Sequence, residues 1–172
     1  MAVLPILTAP DPILKSKAKR VEAVDERIRR LMADMLETMY KAPGIGLAAP
    51  QIGVLDRVVV MDIGKTEETR EPIRMANPEI IWASDEDNTY EEGCLSVPEH
   101  YSNVVRPAEV KVRYLDEAGQ HKELHADGLL ATVVQHEMDH LDGILFIDHI
   151  SSLKRNMILR KLLKAKKEAA ES

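Results

Sequence analysis

One cysteine, one tryptophan and one phenylalanine occur in 172 residues, and aromatic residues make up only 3% of the chain. The single cysteine, Cys94, excludes an intrachain disulfide and agrees with a reducing compartment. No apolar run approaches the ~18 residues that a membrane-spanning helix needs. The opening stretch MAVLPILTAPDPILKSK has no basic leader before an apolar core, and Pro5 and Pro10 interrupt it, so it does not read as a secretory signal. Nor is it rich in Arg and Ser, as a transit peptide is. A cytoplasmic protein with no membrane segment is therefore expected. Repeats, long linkers and low-complexity tracts are lacking too, so residues 1–172 are expected to form one domain. A chain of this length can bury about 68–70% of its unfolded surface.

What is present fits a globular protein: 45% hydrophobic and 30% charged residues. The net charge of −6 is uneven, because residues 150–172 hold seven Lys or Arg against two Glu, a local +5 that leaves −11 on the rest. A basic tail on an acidic body can touch an anionic partner, although a solvated helix face explains it as simply.

Periodicity predicts the elements. In VDERIRRLMADMLETMYKA, the residues Ile28, Leu31, Met32, Met35, Leu36 and Met39 follow helical spacing, Asp25 can cap the start, and Pro43 and Gly44 stop it. DRVVVMDI (56–63) and NPEIIWAS (77–84) read as strands. EVKVRYLDEAGQHKELHA reads as two strands joined by a turn near Asp116–Gly119. DGLLATVVQHEMDHLDG reads as a helix from Asp127 to Gly143. A last helix, about 151–170, starts at Ser151 or Ser152; Leu153, Met157, Ile158 and Leu162 are expected to dock its first half and leave the basic end free. The expected fold class is α+β, with mixed, mostly antiparallel strands around the central helix and a C-terminal helix.

The central helix carries the chemistry. His136 and His140 stand one turn apart, so both imidazoles leave the same face, and they continue an apolar stripe begun by Leu129 and Val133. H-E-x-x-H on a helix is a fairly specific metal-site signature. Glu137 projects from nearly the same side, close enough to take a proton from a water beside the metal, as a general base does. A catalytic zinc or iron site usually needs a third protein ligand. The extended protease pattern fails here because position 146 is Phe146, and the first glutamate after His140 is Glu168, in the basic tail. His149 lies beyond the helix stop. Upstream, EEGCLSVPE offers Cys94 beside Gly93, and a Cys-His-His set suits zinc or ferrous iron while leaving a fourth position open.

GIGLAAPQIG (44–53) has the glycine spacing of a dinucleotide loop, but it follows a helix and Pro50 sits where that loop's helix would begin. It reads instead as a tight turn bringing Gln51 near a reacting centre.

Taken in order, GIGLAAPQ, EGCLS and HEMDH resemble the three motifs of the bacterial-type peptide deformylases, over residues 44–140. The resemblance implies a hydrolase that removes the N-formyl group from the initiator methionine of new polypeptides and uses one divalent metal ion, Fe(II) in the cell, replaceable by zinc, nickel or cobalt. It implies Cys94, His136 and His140 as metal ligands, Glu137 as the acid/base, and Gln51 with the backbone N–H of Leu95 as oxyanion donors. The methionine pocket would be formed by Ile45, Leu129 and Val133, with Tyr90 and the His136 face. The peptide backbone would add as a strand between Gly44, Ile45 and Gly46 on one side and Glu92 and Gly93 on the other. Expected partners are N-formylmethionyl peptides and nascent chains, with ribosomal contact through the basic helix; the protein is expected to be a monomer. Many members carry an arginine seven residues after the ligand cysteine, where this chain has Tyr101; Arg106 matches another basic position. The rival readings are a zinc endopeptidase and a structural metal protein.

Overall fold

The computed structural model describes residues 2–171. Helix α1 (Glu26–Lys41) leads to a short strand β1 (Gly46–Ala48), then β2 (Val58–Met61) and β3 (Ile73–Ala83). A hairpin of β4 (Asp87–Cys94) and β5 (Val97–Pro107) follows, then a second of β6 (Glu109–Leu115) and β7 (His121–Asp127). Helix α2 (Gly128–Leu141) and helix α3 (Ser152–Glu171) complete the chain. The first sheet has the order β1-β2-β3-β6-β7, and β4 and β5 form a separate two-stranded sheet.

Every strand pair is antiparallel. The single parallel contact among the described residues is the isolated Lys19–Asp56 bridge. The α+β expectation holds, but three strands were not legible. β1 is only three residues long, and β4 reads DNTYEEGC, too polar for a strand signal. The half-exposed hairpin β4–β5 is held by its ladder more than by an apolar face. β3 starts four residues before the expected 77, with Asn77 in positive φ beside a register shift. Asn77 is fixed there because its side chain both donates to the Val21 carbonyl (2.9 Å) and accepts from the Val21 N–H (2.8 Å).

Each helix is seated by its stripe. Asp25 caps α1, accepting from the Ile28 N–H at 3.0 Å, a contact worth about 1 kcal/mol. Met32, Met35 and Met39 pack against Leu47, Val58 and Val60. Helix α2 lies inside the strands, with Ala131, Val134 and Leu141 against Met61, Met75, Val110 and Val112. Each such buried side chain contributes roughly 1.5–3 kcal/mol.

Helix α3 departs from expectation. Ile158, Leu159 and Leu162 dock on the cluster of Leu14, Phe146 and Ile147, whereas Leu153 and Met157 are 70% and 44% exposed. A helix turns about 100° per residue, so a stripe centred on 158, 159 and 162 leaves 153 and 157 on the opposite face. The basic end is tied down further than expected, because Lys166 Nζ donates to the Thr8 carbonyl at 2.5 Å.

Candidate metal centre

Two elements deliver three ligand atoms to one point. Cys94 ends β4, and His136 and His140 come from successive turns of α2. Their candidate ligand atoms all lie within 4.8 Å of one another. Cys94 Sγ is 3.4 Å from His140 Nε2, and the two Nε2 atoms are 3.3 Å apart. Tetrahedral bonds of the usual Zn–N and Zn–S lengths put such atoms roughly 3.3 Å (N to N) and roughly 3.6 Å (S to N) apart. The residues present therefore fit a first-row divalent ion held by one thiolate and two imidazoles. Beside them, the buried Glu137 Oε1 has no hydrogen-bond partner among the described residues, so a carboxylate oxygen is left for whatever enters the site.

The orientation of His136 is set from behind. Its Nδ1 donates to Glu92 Oε1 at 2.9 Å, which leaves the Nε2 lone pair for the metal. Glu92 is gripped by Arg106, whose Nε and Nη2 donate to its two oxygens at 2.7 and 2.9 Å. Arg106 Nη1 also donates to Asp139 Oδ2 at 2.8 Å, and His149 Nε2 lies 2.8 Å from the same oxygen. Burial opposes the charge on Glu92, but the Arg106 and His136 hydrogen bonds outweigh it and hold its carboxyl at about 2. His149, a conceivable third ligand by sequence, thus serves the Asp139 end of this chain and stands outside the centre.

Burial also dominates the other groups. It pushes the Glu137 carboxyl up to about 7, against the pull of His136. Burial and the neighbouring His136 lower His140 well below the ordinary imidazole value, so it is neutral and ready to ligate. For metal-free His136, burial favours the neutral ring, but Glu137, Cys94 and Glu92 prevail and raise its pKa well above the ordinary value. Metal binding must displace that proton.

The Gln51 side chain is fully committed at one end. Its Oε1 accepts from the Ala48 N–H at 2.9 Å, while its Nε2 donates to Ser96 Oγ at 3.0 Å and lies 3.5 Å from Cys94 Sγ. The amide therefore faces the centre with its donors. Gly46 is required by Glu137, since a Cβ there would stand 2.4 Å from Glu137 Oε2.

The centre opens into a cavity of about 620 Å³ bounded by Gly44, Ile45, Gly46, Leu95 and Tyr101. A smaller cavity of about 100 Å³, bounded by Ile45, Tyr90, Gly93, Leu129 and Val133, adjoins it at His136 and Glu137. Glu92 also borders this second cavity, but both its oxygens are occupied by Arg106 and His136. Its carboxylate is a support for His136. Tyr101 stands across from Gly93 in the β4–β5 register, and a Cβ on Gly93 would meet its ring at 2.5 Å. The ring covers the glycine backbone at the cavity mouth.

The structure places Cys94, His136, His140, Glu137 and Gln51, all singled out from the sequence, around one point. Sequence reasoning did not single out Ser96 or Asp139, although both lie inside the quoted motifs EGCLS and HEMDH.

The family model for polypeptide deformylase matches residues 3–156. A peptide deformylase of Phenylobacterium zucineum is 57% identical over 169 residues, covering 98% of this chain and all of that one. The crystal structure of peptide deformylase from Ehrlichia chaffeensis superposes with a TM-score of 0.94 at 39% identity, covering 98% of this chain and 99% of that one. A structure from the same organism in complex with actinonin gives a TM-score of 0.90 at 42% identity, covering 96% and 98%. The motif order, the three converging ligands and these matches along the whole chain agree: the chain belongs to the polypeptide deformylase family.

Proposed function

We propose that this chain removes the N-formyl group from the formyl-methionine that begins newly made polypeptides, releasing formate, with the residues of the centre in the roles below. The observation that carries the reading is the meeting of Cys94, His136 and His140 within 4.8 Å, beside a buried carboxylate and an open cavity. A divalent ion held by these three side chains supplies the Lewis acidity that makes water nucleophilic at neutral pH. Glu137, buried beside the three ligand side chains with one oxygen free of protein partners among the described residues, takes a proton from the attacking water and delivers it to the departing amine. The Gln51 amide and the Leu95 N–H stabilise the formyl oxygen as it becomes an oxyanion, each donor contributing about 3–4 kcal/mol. The methionine side chain fills the 100 Å³ cavity between Ile45, Tyr90, Leu129 and Val133. The peptide backbone lies in the slot between residues 44–46 and 92–93, pairing through main-chain bonds that tolerate any sequence.

The metal in the cell is Fe(II), since a thiolate with two imidazoles suits ferrous iron as well as zinc; metal analysis of protein purified without oxygen tests this. The enzyme works as a single-domain monomer in the bacterial cytoplasm; among the described residues no helix is long and apolar enough to cross a membrane. Contact with the ribosome runs through the exposed Lys and Arg of α3, attracted by RNA phosphate. Neither an endopeptidase nor a structural metal site is favoured by the family match. The deciding experiment is formate release from a formyl-Met tripeptide by wild type and Glu137→Gln. The variant should retain the metal and lose nearly all turnover; near-normal turnover would remove Glu137 from its role.

A further inference from the structure

A third cavity, about 680 Å³, lies on the far side of the slot wall, between Tyr40, Pro43 and the loop 63–70. It shares Gly44 and Ile45 with the mouth of the metal centre, and Ile45 and Leu129 with the methionine cavity. Ile45 and Leu129 are 43% and 40% exposed, so only a low apolar rim separates a bound peptide from this groove. The loop is stitched to the same wall, because the Asp62 N–H donates to the Ile45 carbonyl at 2.9 Å.

The groove carries cations that form no ion pair. Arg70 and Lys65 border it, and neither forms an ion pair within 4.0 Å among the described residues. Asp62 is spoken for: it is 3% exposed and accepts from Tyr40 Oη at 2.5 Å and from the N–H groups of Gly64 and Glu71 at 2.9 and 3.1 Å. Glu67 is the exposed acid among the residues that line it, and Glu68 and Glu71 are exposed in the same loop. Arg70 is held in place by stacking, its guanidinium carbon 4.0 Å from the centre of the Tyr40 ring, which leaves its planar fork of donors pre-oriented.

We propose that this groove receives an acidic side chain from one of the two residues that follow the formyl-methionine, and that Arg70, aided by Lys65, sets a preference for such chains. This rests on the deformylase reading above and adds a specificity determinant to it. A solvent-exposed charge contact of this kind raises kcat/KM about two- to fivefold and weakens with salt.

The test measures formate release from C-terminally amidated formyl-Met-Ala-Ser, formyl-Met-Glu-Ser and formyl-Met-Ala-Glu, with lysine counterparts, at low and high salt. Wild type should favour glutamate over lysine at the second or third position, chiefly through KM. Arg70→Lys should keep the preference, Arg70→Ala should flatten it, and Arg70→Glu should reverse it, while all hydrolyse formyl-Met-Ala-Ser like wild type. No acidic preference at either position, or one that survives Arg70→Glu, would overturn the proposal. Absence of formate from every peptide with metal-loaded wild type would instead defeat the deformylase reading itself.

Discussion

Replacing Glu92 by glutamine should separate the support of the metal centre from its chemistry. Glutamine keeps an oxygen that can accept from His136 Nδ1, but its amide sets a donor against the Arg106 donors that now grip Glu92 at 2.7 and 2.9 Å. Arg106 is 6% exposed, so it would stay buried with Asp139 as its remaining carboxylate. Removing one partner from a buried pair costs about 3–5 kcal/mol. The titration gives a second measure. Holding the Glu92 carboxyl at about 2 instead of its ordinary 4.5 is worth roughly 3 kcal/mol at neutral pH. Because the folded value is the lower one, this stability is present above about pH 4.5 and drains away as pH falls toward 2. The variant should melt roughly 6–12 °C below wild type at pH 7, and the gap should narrow on acidification through that window. Its metal should also dissociate more readily, by about 10–100-fold in affinity, because His136 loses its anionic brace. Thermal melts from neutral to acid pH and metal retention against a chelator check both. Equal melting at pH 7 within about 0.5 kcal/mol, with unchanged metal retention, would refute the bracing argument.

Cys94→Ser should empty the site on dialysis against a chelator while wild type keeps its metal, since a neutral hydroxyl replaces a thiolate; retained metal would take Cys94 out of the ligand set. Gly46→Ala should fold and bind metal yet lose at least about 100-fold in kcat/KM, because the new methyl displaces the Glu137 carboxylate by a clash at 2.4 Å; full activity would refute the contact. Deleting residues 164–172 should leave hydrolysis of a short formyl-peptide intact but weaken co-sedimentation with ribosomes, and salt should weaken the intact chain likewise; equal sedimentation of both forms at low salt would rule out the tail as a ribosome contact.

The centre was legible because its parts sit in short, chemically dense words. His136, Glu137 and His140 announce themselves by helical spacing, and a lone cysteine in EGCLS has few other uses. The support behind them was less visible. Arg106 reaches Glu92 and Asp139 across 14 and 33 residues, and no local pattern encodes such a meeting. Strand β4 escaped for a related reason: a polar strand is made by its partner's ladder, and β5 lies beyond the turn that follows Cys94. On α3 the periodicity gave the helix, while the choice between its apolar stripes was made by where Leu14, Phe146 and Ile147 left room.

The two sheets share no strand ladder. The β4–β5 hairpin therefore meets α2 through side chains, chiefly the Glu92–His136 and Arg106–Asp139 contacts, while its Val97 and Val104 pack with Leu14, Phe146 and Ile147. A metal bound by Cys94 from the hairpin and two histidines from α2 acts as a rivet through both plates. Stripping it would remove one tie between hairpin and helix and leave the Glu92–His136 and Arg106–Asp139 contacts in place. A metal held there would add a fastening at a point where no ladder joins the two sheets, so the reacting centre would also serve as a joint of the fold.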